Sequence, residues 1–336
     1  MIIDQRTTYD CAPTLNDAQV LDFCKTGYLV LPATIDDAVN TRCTDWLEQH
    51  AQLDHSKTEA REAAARGHAR VRISRVAEPM ELFQEEWFVD NVLCAPAVVG
   101  AVRSLLGRDL GLPILISNHR MTPDNTPAEE QGWHHDGGSQ FDATEMNYLQ
   151  VFYYPQNVTP EMGPTELCPG THWGTQSYDP RNQGVSSSPP PGRATVLTAF
   201  PAGSVVITDY PILHRRAASS IACSRNLLKY NYWRTSEPVR DWRGSAEPFD
   251  FLGTDWNSDV GDFYSCIPIS RRFFWLAGEQ YPEKLLGGQG WPLTFSRANS
   301  VDDDWGYPGT TAHKSVQPGY SPDGVPVARV HPAARL

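Results

Sequence analysis

Apolar residues recur at helical spacing in the first third of the chain and at strand spacing in its middle. Val20, Leu21, Phe23 and Cys24 share one face of a helix predicted over residues 16–27, with Gly27 as its stop. Tyr28 to Leu31 reads as a strand. Ile35, Val39, Cys43, Trp46 and Leu47 predict a second helix with Thr34 as its N-cap. Ser56 to Arg66 is rich in Ala and Glu and predicts a solvated helix. Ala95 to Leu106 predicts another, closed by Gly107.

From Leu112 the pattern changes. Ile114–Arg120, Asn147–Tyr154, Thr195–Phe200, Ser204–Thr208, Ile212–Arg216 and Asn226–Arg234 read as short strands broken by Gly/Pro turns. No helices of crossover length intervene, which argues against a parallel βαβ sheet. The expectation is a mainly β fold with flanking helices, a double-stranded β-helix (jelly roll, cupin-like). Residues 1–240 are expected to form one such domain, with the N-terminal helices as a layer on it. Residues 241–336, rich in Gly, Pro, Trp and Asp, are expected to wrap that domain or contribute to a subunit contact, as in a homodimer. Ser186 to Gly192 reads as a tolerated surface loop.

Composition narrows the partners. A formal charge of −12 argues against nucleic acid or an anionic membrane, both of which reward clustered Lys and Arg. No apolar run approaches the roughly 20 residues that span a bilayer, and the chain does not open on a secretory pattern. Seven scattered cysteines without a C-x-x-C pair fit a reducing compartment, with the cytoplasm as the default.

Candidate chemistry centres on Gln131-Gly132-Trp133-His134-His135-Asp136-Gly137-Gly138. If this segment is extended, His134 and Asp136 share a face and His135 points the other way. His214, in Asp209-Tyr210-Pro211-Ile212-Leu213-His214, supplies a third ligand. Two histidines and one carboxylate on one side of a metal leave its other positions open, as in non-haem Fe(II) oxygenases. An isolated H-x-D is weak evidence. Its combination in order with His214, with Arg225 eleven residues further on and the Pro169-Gly170-Thr171-His172 turn between, is much rarer by accident.

The order His134-x-Asp136, His214, Arg225 resembles the phytanoyl-CoA dioxygenase family of Fe(II)/2-oxoglutarate oxygenases. Gly163-Pro164-Thr165-Glu166-Leu167-Cys168-Pro169-Gly170-Thr171-His172 is similar to the family's NGP…PGSH stretch, with Met162 for the usual Asn and Thr171 for Ser. Arg225 stands eleven residues after His214, the family's usual interval to the arginine that binds 2-oxoglutarate. The resemblance implies iron held by His134, Asp136 and His214, with O2 and 2-oxoglutarate as co-substrates. An arginine fork suits the far carboxylate of 2-oxoglutarate. Asn118 and Thr165 are further candidates for holding that molecule. His135, Phe141, Tyr148, Phe152, Arg216 and Trp233 are candidates for substrate contact, although aromatics on strands are more often core. Arg216 departs from the family's small hydroxyl residue at that position. Family-like halogenases lack the carboxylate, so Asp136 argues against halogenation.

The implied reaction is oxidation of a small organic molecule in specialised metabolism, with release of succinate and CO2. Hydroxylation is the default, with desaturation, rearrangement and endoperoxidation open. Hydroxylation of a fatty acyl-CoA and a non-oxidative metal-dependent reaction are the alternatives. His172 is expected to be structural, bonded to backbone.

Overall fold

The computed structural model describes residues 11–50, 76–77, 80–113, 116–123, 126–136, 145–172, 188–189, 192–244, 269, 272–273 and 275–278. The chain opens with helix α1 (Asp17–Thr26). Asn16 caps it by accepting from the Gln19 amide at 2.9 Å, and the Gln19 side chain accepts from the Asn16 amide in return. Gly27 ends the helix at φ 81, where a Cβ would lie 2.3 Å from the ring of His172. Helix α2 (Asp37–Gln49) starts later than the sequence suggests. Its N-cap position is Asp36, and the Thr34 hydroxyl turns to the Pro32 carbonyl, so Thr34 does not cap. Helix α3 (Pro96–Leu106) places Pro96 at its first turn, where the missing N–H is not needed. The helix read over Ser56–Arg66 and the loop residues 186–187 and 190–191 lie outside the described residues.

The described residues contain ten strands, in chain order β1 (Tyr28–Leu31), β2 (Val76–Ala77), β3 (Leu110–Gly111), β4 (Ile116–His119), β5 (Tyr148–Tyr154), β6 (Thr165–Leu167), β7 (Val196–Leu197), β8 (Ser204–Asp209), β9 (His214–Arg216) and β10 (Leu228–Arg234). All pairings are antiparallel. A seven-stranded sheet runs β1-β8-β5-β10-β4-β2, with β3 also on β10, and a three-stranded sheet runs β7-β6-β9. The jelly-roll expectation holds. The strand read over Thr195–Phe200 shrinks to Val196–Leu197, and β6 was not legible as a strand.

The large sheet has two different faces. Leu149, Val151, Tyr153, Val205, Ile207, Leu228, Tyr230 and Tyr232 pack with α1, α2 and α3 in the main core. The alternate residues Phe152, Tyr154, Val206 and Leu227 face the small sheet, with Leu167 and Ile212. Strand β8 is buried along its whole length because both faces are covered, so its centre, Val205–Ile207, is apolar without alternation. Each fully buried Val or Ile there contributes roughly 1.5–3 kcal/mol.

Of residues 241–336, those described (241–244, 269, 272–273 and 275–278) join this core, and the rest of the expected extension lies outside the described residues. Trp242 donates to Asp17 at 2.7 Å and meets the Phe273 ring edge-on at 5.6 Å. Ile269, Phe273 and Leu276 are buried in the main core, and buried Arg272 pairs with buried Asp209 at the end of β8. Among the described residues no single helix is long and apolar enough to cross a membrane.

Candidate metal centre

His134 lies beside β9. It exchanges backbone hydrogen bonds with His214, His134 N–H to His214 C=O at 2.9 Å and the reverse at 3.0 Å. In an antiparallel pair of this kind opposed residues project on one face. The two imidazole centroids are accordingly 4.4 Å apart. The segment continues extended, so Asp136 returns to the same face. His134 Nε2 is 3.6 Å from Asp136 Oδ1, and His214 Nε2 is 3.4 Å from Oδ2. All three ligand atoms lie within 4.8 Å of one another.

Each ring is held in the tautomer a metal needs. His134 Nδ1 donates to the Gly132 carbonyl and His214 Nδ1 to the Ile212 carbonyl, both at 3.0 Å. A carbonyl only accepts, so Nδ1 carries the proton and the Nε2 lone pair faces the shared space. Burial, with His214 nearby, holds the His134 pKa below its usual value and favours the neutral ring. The Asp136 carboxyl stays ionised. Burial raises its pKa, but the Lys229 ammonium, through its charge and its hydrogen bond, outweighs that and brings it well below the usual range. Two imidazole lone pairs and a carboxylate make a donor set that fits Fe(II).

The large sheet meets this centre from below. Lys229 Nζ donates to Asp136 Oδ2 at 2.7 Å, and Gln150 Nε2 donates to the same oxygen at 2.8 Å. The Lys229 ammonium sits 5.2 Å over the Phe152 ring, and Phe152 lies 6.1 Å from His214. Neither Lys229 nor Gln150 was singled out in the sequence. The available signal was a lone lysine in the aromatic strand Leu228–Arg234, four residues from Arg225 and therefore on its face. Register with Asp136 needs the fold.

Arg225 is buried. Its guanidinium donates to the Gly163 carbonyl at 2.5 Å and to the His119 carbonyl at 3.2 Å. Gly163 has φ 65, and a Cβ there would press the Ala217 carbonyl at 2.9 Å, which explains glycine in that turn. The family model described as phytanoyl-CoA dioxygenase (PhyH) matches residues 23–225, well over half of the chain. The chain belongs to the phytanoyl-CoA dioxygenase family. It is an enzyme of the Fe(II)/2-oxoglutarate-dependent kind, with iron and 2-oxoglutarate as its cofactors.

No curated protein matches it in sequence. Among solved structures, this family member is similar to the epimerase SnoN in complex with Fe3+, alpha ketoglutarate and nogalamycin RO, at 15% identity and TM-score 0.48 over 65% of this chain and 83% of SnoN. It is also similar to HygX from Streptomyces hygroscopicus with nickel and 2-oxoglutarate bound, at 16% identity and TM-score 0.48 over 69% and 91%. AviO1 from Streptomyces viridochromogenes Tue57 is similar at 14% identity and TM-score 0.44 over 68% and 99%.

The remaining candidates of this phytanoyl-CoA dioxygenase-family chain divide by face. Thr165 pairs with Arg216 and Leu167 with His214, so Thr165 shares the inward face of the small sheet. Asn118 turns the other way. It pairs with Leu228 and bonds to the Asn226 side chain at 2.9 Å, on the helix-covered face of the large sheet. Strand alternation therefore gives the site face of β4 to Ser117 and His119. Burial, then the Lys229 charge, pushes the His119 pKa down to about 3, so that ring is neutral.

His135 points away from the triad, with Nδ1 on the Pro211 carbonyl. Arg216 donates to the Ala217 and Glu129 carbonyls and clamps the 129–131 segment. Tyr148, Gln150 and Phe152 alternate on the site face of β5, opposite Trp233, Asn231 and Lys229 of β10. Of these, Phe152 floors the centre. Tyr148 is 48% exposed, at the open end of the row, and Trp233 lies across Gly111. Phe141 lies outside the described residues.

Proposed function

We propose that His134, Asp136 and His214 hold one Fe(II), and that Arg225, with Thr165 beside it, receives the far carboxylate of 2-oxoglutarate. The observation that carries this reading is the convergence of two tautomer-fixed Nε2 atoms and one ionised carboxylate. Iron and 2-oxoglutarate held there would supply oxidation of a substrate C–H bond by O2, with succinate and CO2 as the co-products. The chain's own residues orient and enclose. Asp136 Oδ2 is occupied by Lys229 and Gln150, which leaves Oδ1 for the metal. The apolar layer of Phe152, Leu167 and Ile212 keeps water from the floor of the centre.

The substrate reading is a small organic molecule of specialised metabolism, hydroxylated by default. Two buried acceptors favour a molecule with hydroxyl or amide N–H donors over a plain acyl chain. Gln150 donates through Nε2 to Asp136, which fixes the amide with Oε1 as its acceptor, and that atom has no partner among the described residues. Asn231 Oδ1, its cross-strand neighbour, is in the same state. A buried unpaired acceptor costs about 1–3 kcal/mol, which a substrate donor would recover.

The test of the metal and co-substrate reading needs no substrate. Anaerobic Fe(II) followed by 2-oxoglutarate should give a visible metal-to-ligand charge-transfer band, absent in His134→Ala and Asp136→Ala. A band of full strength in Asp136→Ala would remove that residue from the ligand set. Succinate release can then be screened over hydroxylated scaffolds and acyl-CoAs.

A further inference from the structure

Lys229 is a cation built into the second layer of the metal centre. Its side chain is only 10% exposed, and its ammonium lies 2.7 Å from the carboxylate oxygen that it shares with Gln150. Among the described residues the neighbouring groups add no further negative charge to balance it. His214 Nε2 is 3.4 Å from the same oxygen, His134 Nε2 is 3.6 Å from the other, and Phe152 offers only a ring face. Among the described residues His119, Arg225 and Tyr210 are further ionisable groups coupled to this cluster, and none of them is an anion. Asp136 thus has a single negative charge, and Lys229 already neutralises it.

This placement has two opposed consequences for a divalent cation held at Asp136. The hydrogen bonds of Lys229 and Gln150 fix the carboxylate and so favour binding. The ammonium, separated from the metal by one carboxylate, also repels it. At such a spacing, with an effective dielectric near 20, repulsion between a unit and a double charge exceeds the gain from one positioning hydrogen bond. A dianionic co-substrate bound to the metal would reverse the balance, because it would add negative charge to a centre whose one carboxylate Lys229 already neutralises. We infer that Lys229 ties metal retention to 2-oxoglutarate: it weakens binding of the metal alone and strengthens binding of the metal with its co-substrate. Coupling of this kind is reciprocal, so the metal tightens 2-oxoglutarate by the same factor. This rests on the metal-centre reading above.

The test is a titration of the full chain with Co(II), with and without saturating 2-oxoglutarate, at fixed pH under anaerobic conditions. The readouts are dissociation constants, independent of turnover. Lys229→Met should bind Co(II) alone about tenfold more tightly than the parent, and the enhancement by 2-oxoglutarate should fall by about tenfold, within the usual range of such couplings. Lys229→Gln, which keeps polarity without charge, should behave like Lys229→Met. Lys229→Arg keeps the charge and should keep the parent's coupling. Weaker Co(II) binding in Lys229→Met and Lys229→Gln with unchanged coupling would overturn the inference and leave Lys229 as a positioning residue only. If the parent binds no Co(II), or binds it no better than His214→Ala, the metal-centre reading fails and the inference falls with it.

Discussion

His134 and His214 are directly opposed across an antiparallel bridge, joined by backbone hydrogen bonds of 2.9 and 3.0 Å. That single pairing converts a loop motif and a strand residue into one ligand face. It also explains why Asp136, two residues on, reaches both rings. A shift of one residue in this register would turn His135 inward in place of His134 and Asp136.

Asp136→Asn keeps the shape of the side chain and its acceptor for Gln150 and Lys229, but removes the charge. It is expected to abolish the rise in melting temperature that Fe(II) gives the parent, since a ligand stabilises only the state it binds. Thermal scans with and without metal measure this. An undiminished rise would mean that the metal sits elsewhere.

Arg225→Lys replaces a fork with a point charge. The expected effect is a 10- to 100-fold weaker 2-oxoglutarate affinity, about 1.4–2.8 kcal/mol, with metal binding alone little changed. Titrating the charge-transfer band with 2-oxoglutarate reads it directly. Equal affinity in the variant would assign the far carboxylate to another residue.

Arg272 and Asp209 form a buried ion pair that fastens the segment after residue 268 to the end of β8. Arg272→Met alone leaves a buried carboxylate without its partner and is expected to cost about 3–5 kcal/mol in urea unfolding. Adding Asp209→Asn should recover much of that loss. Strictly additive losses in the double variant would mean that the pair is not coupled.

His172 gives a pH prediction. It is buried and donates through Nε2 to the Cys24 carbonyl at 2.9 Å. Burial first, then the Arg272 charge, holds its pKa well below the usual 6.5. Below about pH 6.5 the unfolded chain therefore takes up a proton that the folded chain refuses. The stability associated with the neutral ring is complete above that pH and is lost as pH falls, by up to about 1.4 kcal/mol per unit. His172→Gln keeps a donor for Cys24 without titrating. Its unfolding free energy should fall less steeply than the parent's between pH 6.5 and 5; parallel curves would dismiss His172 as the source.

Much of this protein is written locally. Alternation in β10, the apolar centre Val205–Ile207 of β8, and the helical spacing of Val20, Leu21, Phe23 and Cys24 follow from side-chain periodicity and burial alone. The ligand types and their order were equally plain, because H-x-D on an extended segment has only one geometry. Tertiary pairing decided the rest. β6 is three residues long and exists because Glu166 and Leu167 pair with β7 and β9 on either side. Asn118 is the candidate that the sequence offers on the strand before the motif, and the register of β4 with β10 instead turns it toward the helices and gives the site face to Ser117 and His119. Lys229 and Gln150 are ordinary strand residues until the two sheets close over Asp136. Periodicity fixes which residues share a face, whereas which face meets which depends on contacts between residues far apart in the chain, and these form only when the sheets pack.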